Sequence, residues 1–107
     1  MRLTKTGLMN PNELRKFALE TLGPSRCKTI AFTWDKRSKN AGSWDWEGTI
    51  TINMARVRSD REIRRTLLHE WVHAQQSYRW YAYYHYKLGY RKNPYEIAAR
   101  KAEKLIP

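Results

Sequence analysis

Ser59-Asp60-Arg61-Glu62-Ile63-Arg64-Arg65-Thr66-Leu67-Leu68-His69-Glu70-Trp71-Val72-His73-Ala74-Gln75-Gln76-Ser77 reads as one amphipathic helix, and the rest of the chain is organised around it. Ile63, Leu67, Trp71, Ala74 and Tyr78 recur at helical spacing and form an apolar stripe that Leu68 and Val72 widen. Ser59 is placed to cap the first turn, Glu62 to complete a capping box, and both Asp60 and Glu62 favour the positive end of the helix dipole. Roughly opposite the stripe stand His69 and His73. Residues four apart lie one above the other on a helix, so both imidazoles can turn a nitrogen toward one ion. Glu70 lies about 100° further round, where its carboxylate can reach a water held by that ion.

At 107 residues the chain is expected to form a single domain, 1-107, with a modest core. No apolar run approaches the ~20 residues that cross a bilayer, and Met1 to Met9 lacks the apolar region of a secretory signal. A soluble, cytoplasmic protein without membrane association is therefore expected. The lone Cys27 can form no internal disulfide, which fits a reducing compartment, and it is read as a small buried hydrophobe. The formal charge of +11, from 21 Lys and Arg against 10 acids, favours contact with nucleic acid, acidic polypeptides or anionic surfaces without selecting one. The basic residues are scattered, so a solubilising surface accounts for them and nucleic acid is not assigned as a partner.

The flanking sequence predicts an α+β fold in the order α-β-β-α-α, with a two-stranded antiparallel sheet packed on helices. Asn10-Pro11-Asn12-Glu13 starts a first helix with Leu14, Phe17, Ala18 and Leu22 on its apolar face, and Gly23-Pro24 stops it. From Cys27 the period changes to two: Ile30, Phe32 and Trp34 make one strand, and Ile50, Ile52 and Met54 the other. The polar segment from Lys36 to Gly48 joins them. An exposed strand edge beside the histidines would accept an extended peptide as a further strand. Trp44 and Trp46 flank the turn and are read as protecting it. Residues Tyr78 to Tyr90 are so rich in rings that they are expected to supply core, and Asn93-Pro94-Tyr95-Glu96 starts a final helix.

A catalytic zinc takes three protein ligands and keeps an open position, so His69 and His73 need a third. Two candidates stand downstream. His85 lies twelve residues beyond His73 and about 120° away on a continuous helix, so it ligates only if the chain turns back first. Glu96 follows a turn carrying Gly89 and Asn93-Pro94 and can swing under the ion; it is preferred. The same N-P-x-E pattern at Asn10 to Glu13 starts a helix without a metal, so a first-turn acid is the competing account of Glu96.

His69-Glu70-x-x-His73 followed by Asn93-Pro94-Tyr95-Glu96-Ile97-Ala98-Ala99 resembles the gluzincin clan of zinc peptidases, and chain length and element order resemble its minigluzincins. The resemblance covers nearly the whole chain and is specific to the metal site rather than to a substrate. It implies zinc on His69, His73 and Glu96, with Glu70 as general base and acid for hydrolysis of a peptide or protein substrate. It also implies a latent enzyme whose cleft is blocked by a terminal segment, Met1 to Met9 or Lys104 to Pro107. In thermolysin-type gluzincins an aspartate four residues beyond the ligand glutamate orients a histidine; here that position is Arg100, which leaves the orienting partner open. The metzincin pattern is excluded, because Gln76 and Arg79 stand where it needs glycine and histidine.

Two alternatives follow from other features. With His85 as third ligand the chain would resemble SprT-like proteases that act on DNA-bound proteins. The rings interleaved with Arg79, Lys87, Arg91 and Lys92 could instead make a basic nucleic-acid-binding module with a structural metal.

Overall fold

Asn10 caps the first helix, α1 (Pro11–Leu22), by accepting from the Glu13 N–H at 2.9 Å, while the Glu13 carboxylate accepts from the Asn10 N–H at 3.1 Å. Gly23, at φ 83°, ends it in a conformation that side chains rarely adopt. Leu14 and Ala18 are wholly buried, and Phe17 and Leu22 pack at the margin of the core. A computed structural model describes residues 10–106, and in it α1 is followed by β1 (Thr29–Thr33), β2 (Gly42–Trp44), β3 (Thr49–Asn53), α2 (Asp60–Ala74), α3 (Tyr78–Lys92) and α4 (Pro94–Glu103).

The domain is α+β as expected, but the sheet differs from the sequence expectation. It is three-stranded and mixed, in the order β1-β3-β2: β1 runs parallel to β3, and β2 antiparallel to it. The cause lies in the polar segment from Lys36 to Gly48, which carries β2 and pairs Trp44 with Ile50 and Gly42 with Ile52. With β2 and β3 paired as a hairpin, β1 joins the free edge of β3 in parallel, and the connection from Trp34 to Ala41 crosses over. Buried Asn53 pins that crossover. Its amide donates to the Asp35 and Asn40 carbonyls, and its Oδ1 accepts from the Asp35 and Ala55 N–H groups. The Asp45 Oδ1 accepts from the Thr49, Glu47 and Gly48 N–H groups, which holds the hairpin turn and keeps the Asp45 carboxyl below its usual range.

One face of the sheet, through Ile30, Ile50 and Ile52, packs against Leu14 and against Ile63, Leu67, Leu68 and Trp71 of α2. Full burial of each such side chain is worth about 1.5–3 kcal/mol, so this layer fixes α2 on the sheet. Trp71 satisfies its only donor at the Gly23 carbonyl, 2.8 Å away. Helix α2 is shorter than expected. It ends at Ala74 because the Ala74 carbonyl is taken by the Arg26 N–H, and the Gln75 amide turns to the Leu22 and Pro24 carbonyls. Tyr78 therefore leaves the stripe; it is 61% exposed and begins α3, which Ser77 caps.

The aromatic segment is a fourth helix, and the expectation that it supplies core is corrected: no residue of α3 is buried. The sheet, α1, α2 and Ala102 of α4 already close the core, so α3 lies outside it and packs on α4. Gly89 breaks its regularity at φ 77°, and Asn93 caps α4 while its side-chain amide holds the Tyr81 carbonyl. No helix among the described residues is long and apolar enough to cross a membrane. Met1 to Met9 and Pro107, which belong to the two segments expected to block a cleft, lie outside the described residues.

Candidate metal centre

His69 and His73 project from adjacent turns of α2, and Glu96 reaches them from the first turn of α4, which lies along α2. One donor atom from each comes within 4.8 Å of the others. His73 Nε2 is 3.2 Å from Glu96 Oε2, and His69 Nε2 is 3.3 Å from Glu96 Oε1. His73 and Glu96 are buried and His69 nearly so. Glu13 and Glu96 occupy the same place in the same N-P-x-E pattern and behave differently. Glu13 turns back to its cap, whereas Glu96 turns toward the imidazoles and takes a hydrogen bond from the Tyr81 hydroxyl.

The outer nitrogen of each histidine is also held. His69 Nδ1 meets the Glu103 carboxylate at 2.6 Å, and His73 Nδ1 meets Gln76 Oε1 at 2.7 Å. A carboxylate only accepts, so His69 Nδ1 is the donor. Gln76 spends its amide N–H on the Tyr95 carbonyl at 3.0 Å, which leaves its oxygen facing the ring and makes His73 Nδ1 a donor too. When a ring is neutral with its proton on Nδ1, its Nε2 lone pair faces Glu96 and is available to an ion; without an ion, a second proton on His69 takes that place. Glu96 Oε1 is buried there, 3.3 Å from His69 Nε2 and without a well-formed hydrogen bond to the described residues. An unpartnered buried polar oxygen costs about 1–3 kcal/mol, and more when charged, which a cation between the three donors would remove. Two imidazole nitrogens and a carboxylate oxygen are a donor set that suits zinc.

Charge follows the same geometry. Burial works against the His69 imidazolium, but Glu96, Glu70 and Glu103 outweigh it and raise its pKa to about 9. Burial opposes ionisation of Glu96 as well, yet His69, His73 and Tyr81 hold its carboxyl well below the usual range. Glu70 sits buried beside the centre, and burial pushes its pKa up against the pull of both histidines. The Tyr81 phenol is pushed up by burial and by Glu96.

A cleft of about 230 Å³ opens over the three donors and Glu70, with Gly42, Ser43, Trp46 and Tyr90 in its walls. A second space of about 260 Å³, bordered by Lys39, Thr66 and Glu103, shares Gly42, His69, Glu70 and Tyr90 with it. At Gly42 a Cβ would lie 2.5 Å from the Thr66 methyl and 3.3 Å from the Glu70 side chain, so only glycine lets β2 pass this close to α2. Trp46, at φ 65°, does more than protect the turn. Its ring lies 5.2 Å from that of Tyr81 and 6.2 Å from that of His73, in the cleft wall.

His69, Glu70, His73 and Glu96 are thus brought together as the sequence predicts. His85 is not among them: it is exposed on α3 and stacks on Tyr81. Tyr84 and Tyr86 stay outside the cleft, and Tyr90 enters it. The phenol against Glu96 is Tyr81, which sequence reading missed because nothing in Tyr78 to Tyr90 marks one ring among seven aromatic neighbours. Glu103 was missed as well, although seven residues beyond Glu96 is two helical turns and the same face. Arg100 turns away, donating to the Arg91 carbonyl and stacking on Tyr90. Ile106 packs on the hydrophobic core, and among the described residues none after Glu103 lines the cleft. Searches of protein-family models, curated proteins and solved structures find no match to the chain.

Proposed function

We propose that this protein is a zinc-dependent metallopeptidase in which His69, His73 and Glu96 hold the ion and Glu70 is the general base and then the general acid. The observation that carries the reading is the convergence of two imidazole nitrogens and a Glu96 carboxylate oxygen, all within 4.8 Å of one another, beside a buried second carboxyl. Bound there, zinc supplies Lewis acidity and brings the pKa of its water toward neutrality. Glu70 accepts a proton at the cleft floor and returns it to the leaving amine; its raised pKa suits both tasks. Tyr81 commits its hydroxyl to Glu96 and orients that carboxylate. Tyr90 is left as the phenol able to donate to an oxyanion. β2 is an edge strand, and Gly42 and Ser43 lie in the cleft wall, so an extended peptide can add along it with its backbone over Glu70. The resemblance to gluzincins, and to minigluzincins in particular, rests on these same residues, with Glu103 taking the orienting role that Arg100 does not.

The test is metal content and hydrolysis of a quenched fluorescent peptide mixture, for the full chain, for chains lacking Met1 to Met9 or Lys104 to Pro107, and for Glu70→Gln in each background. The expected pattern is one zinc per chain throughout and hydrolysis confined to chains that keep Glu70. A chain without zinc, or equal hydrolysis with Gln at position 70, overturns the proposal.

A further inference from the structure

Helix α3 carries a feature that the metal centre does not use. Between Tyr78 and Lys92 it holds Arg79, Lys87, Arg91 and Lys92, with no Asp or Glu, and seven aromatic rings besides His85. The inward side is engaged through Tyr81 on Glu96 and Tyr84 on Tyr95. Away from Tyr81, Trp80, Tyr83 and Tyr86 follow one another three residues apart and are 50%, 47% and 84% exposed. Arg79 and Lys87 stand four residues to either side of Tyr83, so cations and rings share one face. Trp80 and Tyr83 meet edge to face with centroids 5.6 Å apart, which leaves ring surface turned to solvent.

We infer that this face of α3 binds single-stranded nucleic acid, its rings stacking on bases while Arg79 and Lys87 meet phosphates. Exposed rings interleaved with cations on an acid-free helix match an unstacked polyanion on both counts, and the +11 charge of the chain draws one in. A duplex keeps its bases covered and would use the cations alone. A bilayer-bound helix separates its apolar face from its charged one, whereas here Arg79 and Lys87 share the face of Trp80, Tyr83 and Tyr86. From Trp80 to Lys87 the helix rises about 10 Å, room for about three stacked bases. The inference does not depend on the peptidase reading, since none of these residues lies in the cleft.

Fluorescence anisotropy of a labelled twelve-nucleotide single strand, titrated with the full chain at several salt concentrations, tests it against the same sequence as a duplex and against phosphatidylserine vesicles. Two phosphate contacts on a single strand, from Arg79 and Lys87, give a slope of log affinity on log salt of about −1.4. Tyr86→Ala is expected to weaken binding roughly tenfold and Tyr86→Trp to retain it, as loss and replacement of one stacking ring. Because Tyr86 is the most exposed of these rings, both variants should keep the wild-type circular dichroism. Lys87→Glu should weaken binding and flatten the salt slope, whereas the paired change Lys16→Glu with Lys101→Glu, on other helices, should cost less than about twofold. Absence of binding overturns the inference. So does a duplex or vesicle bound at least as tightly, a Tyr86→Ala variant that binds like wild type, or a loss in the paired control equal to that of Lys87→Glu.

Discussion

Nδ1 of His69 lies 2.6 Å from Oε2 of Glu103, thirty-four residues further on and two turns beyond Glu96 on the same helix. One short helix therefore supplies both a donor to the centre and the acid that fixes the tautomer of another donor. Glu103→Ala should leave the fold intact, because Glu103 is only half-buried, and lower zinc affinity by about 10- to 100-fold. Glu103→Gln should fall between, since an amide oxygen still accepts from Nδ1. Competition titration against a chromogenic chelator reads this directly, and equal affinities in all three proteins would remove Glu103 from the site.

The metal-free protein carries a pH signature. His69 is raised from 6.5 to about 9, with burial opposing and Glu96, Glu70 and Glu103 prevailing. A group whose folded pKa lies above its unfolded value adds stability that is full below the lower value and lost as pH rises through the higher one. The thermal midpoint of the metal-free chain should accordingly fall between pH 6.5 and about 9. Saturating zinc replaces the proton at Nε2 and should flatten that fall. The buried Cys27 thiol, also raised, adds a decline of the same sign that begins only near its ordinary 9. A metal-free midpoint that is level from pH 6.5 to 9 would mean that His69 is neutral throughout.

The identity of the third ligand separates the two completions that sequence leaves open. Glu96→Ala is expected to abolish stoichiometric zinc, because it removes a donor and leaves two imidazoles facing a gap. His85→Ala should change zinc affinity by less than about twofold, as the ring is exposed and stacked on the far side of Tyr81. Isothermal titration of both variants decides it; the opposite ranking would move the third ligand to His85.

Sequence reading reached the centre because each of its signals is local. His69, Glu70 and His73 are one turn of a capped helix, and Glu96 follows a turn that any reader of Asn93-Pro94 would place. The sheet was less legible. Gly42-Ser43-Trp44 has three residues and no apolar alternation to mark it, and its pairing with β3 is set by the Asp45 turn and by Asn53, contacts between residues up to eighteen apart. The aromatic helix misled for a different reason. Rings ordinarily fill cores, but here Trp71 and four isoleucines already do so, and nothing in Tyr78 to Lys92 reveals that the space is taken. Gln76 and Glu103 escaped because an orienting side chain has no spacing of its own until the helices that carry it are packed.

Asn53 tests how the cleft wall is held. It is 4% exposed, and its side chain makes four hydrogen bonds that tie the end of β3 to the crossover at Asp35, Asn40 and Ala55. Asn53→Ala leaves two carbonyls and two N–H groups to find other partners in a part-buried turn, each loss worth about 1 kcal/mol, so a total of roughly 2–4 kcal/mol is expected. For a domain of this size that lowers the thermal midpoint by roughly 10–20 °C. Asn53→Asp keeps the two acceptor contacts and discards the two donors, and should lie midway. Because Asn40 and Gly42 border the cleft while Asn53 does not touch the three donors, zinc affinity below the midpoint should stay within about threefold of wild type. Chemical denaturation beside zinc titration makes the comparison, and a stability loss under about 1 kcal/mol would show that the crossover is held by Arg56, which binds the Lys36 and Ser38 carbonyls, rather than by Asn53.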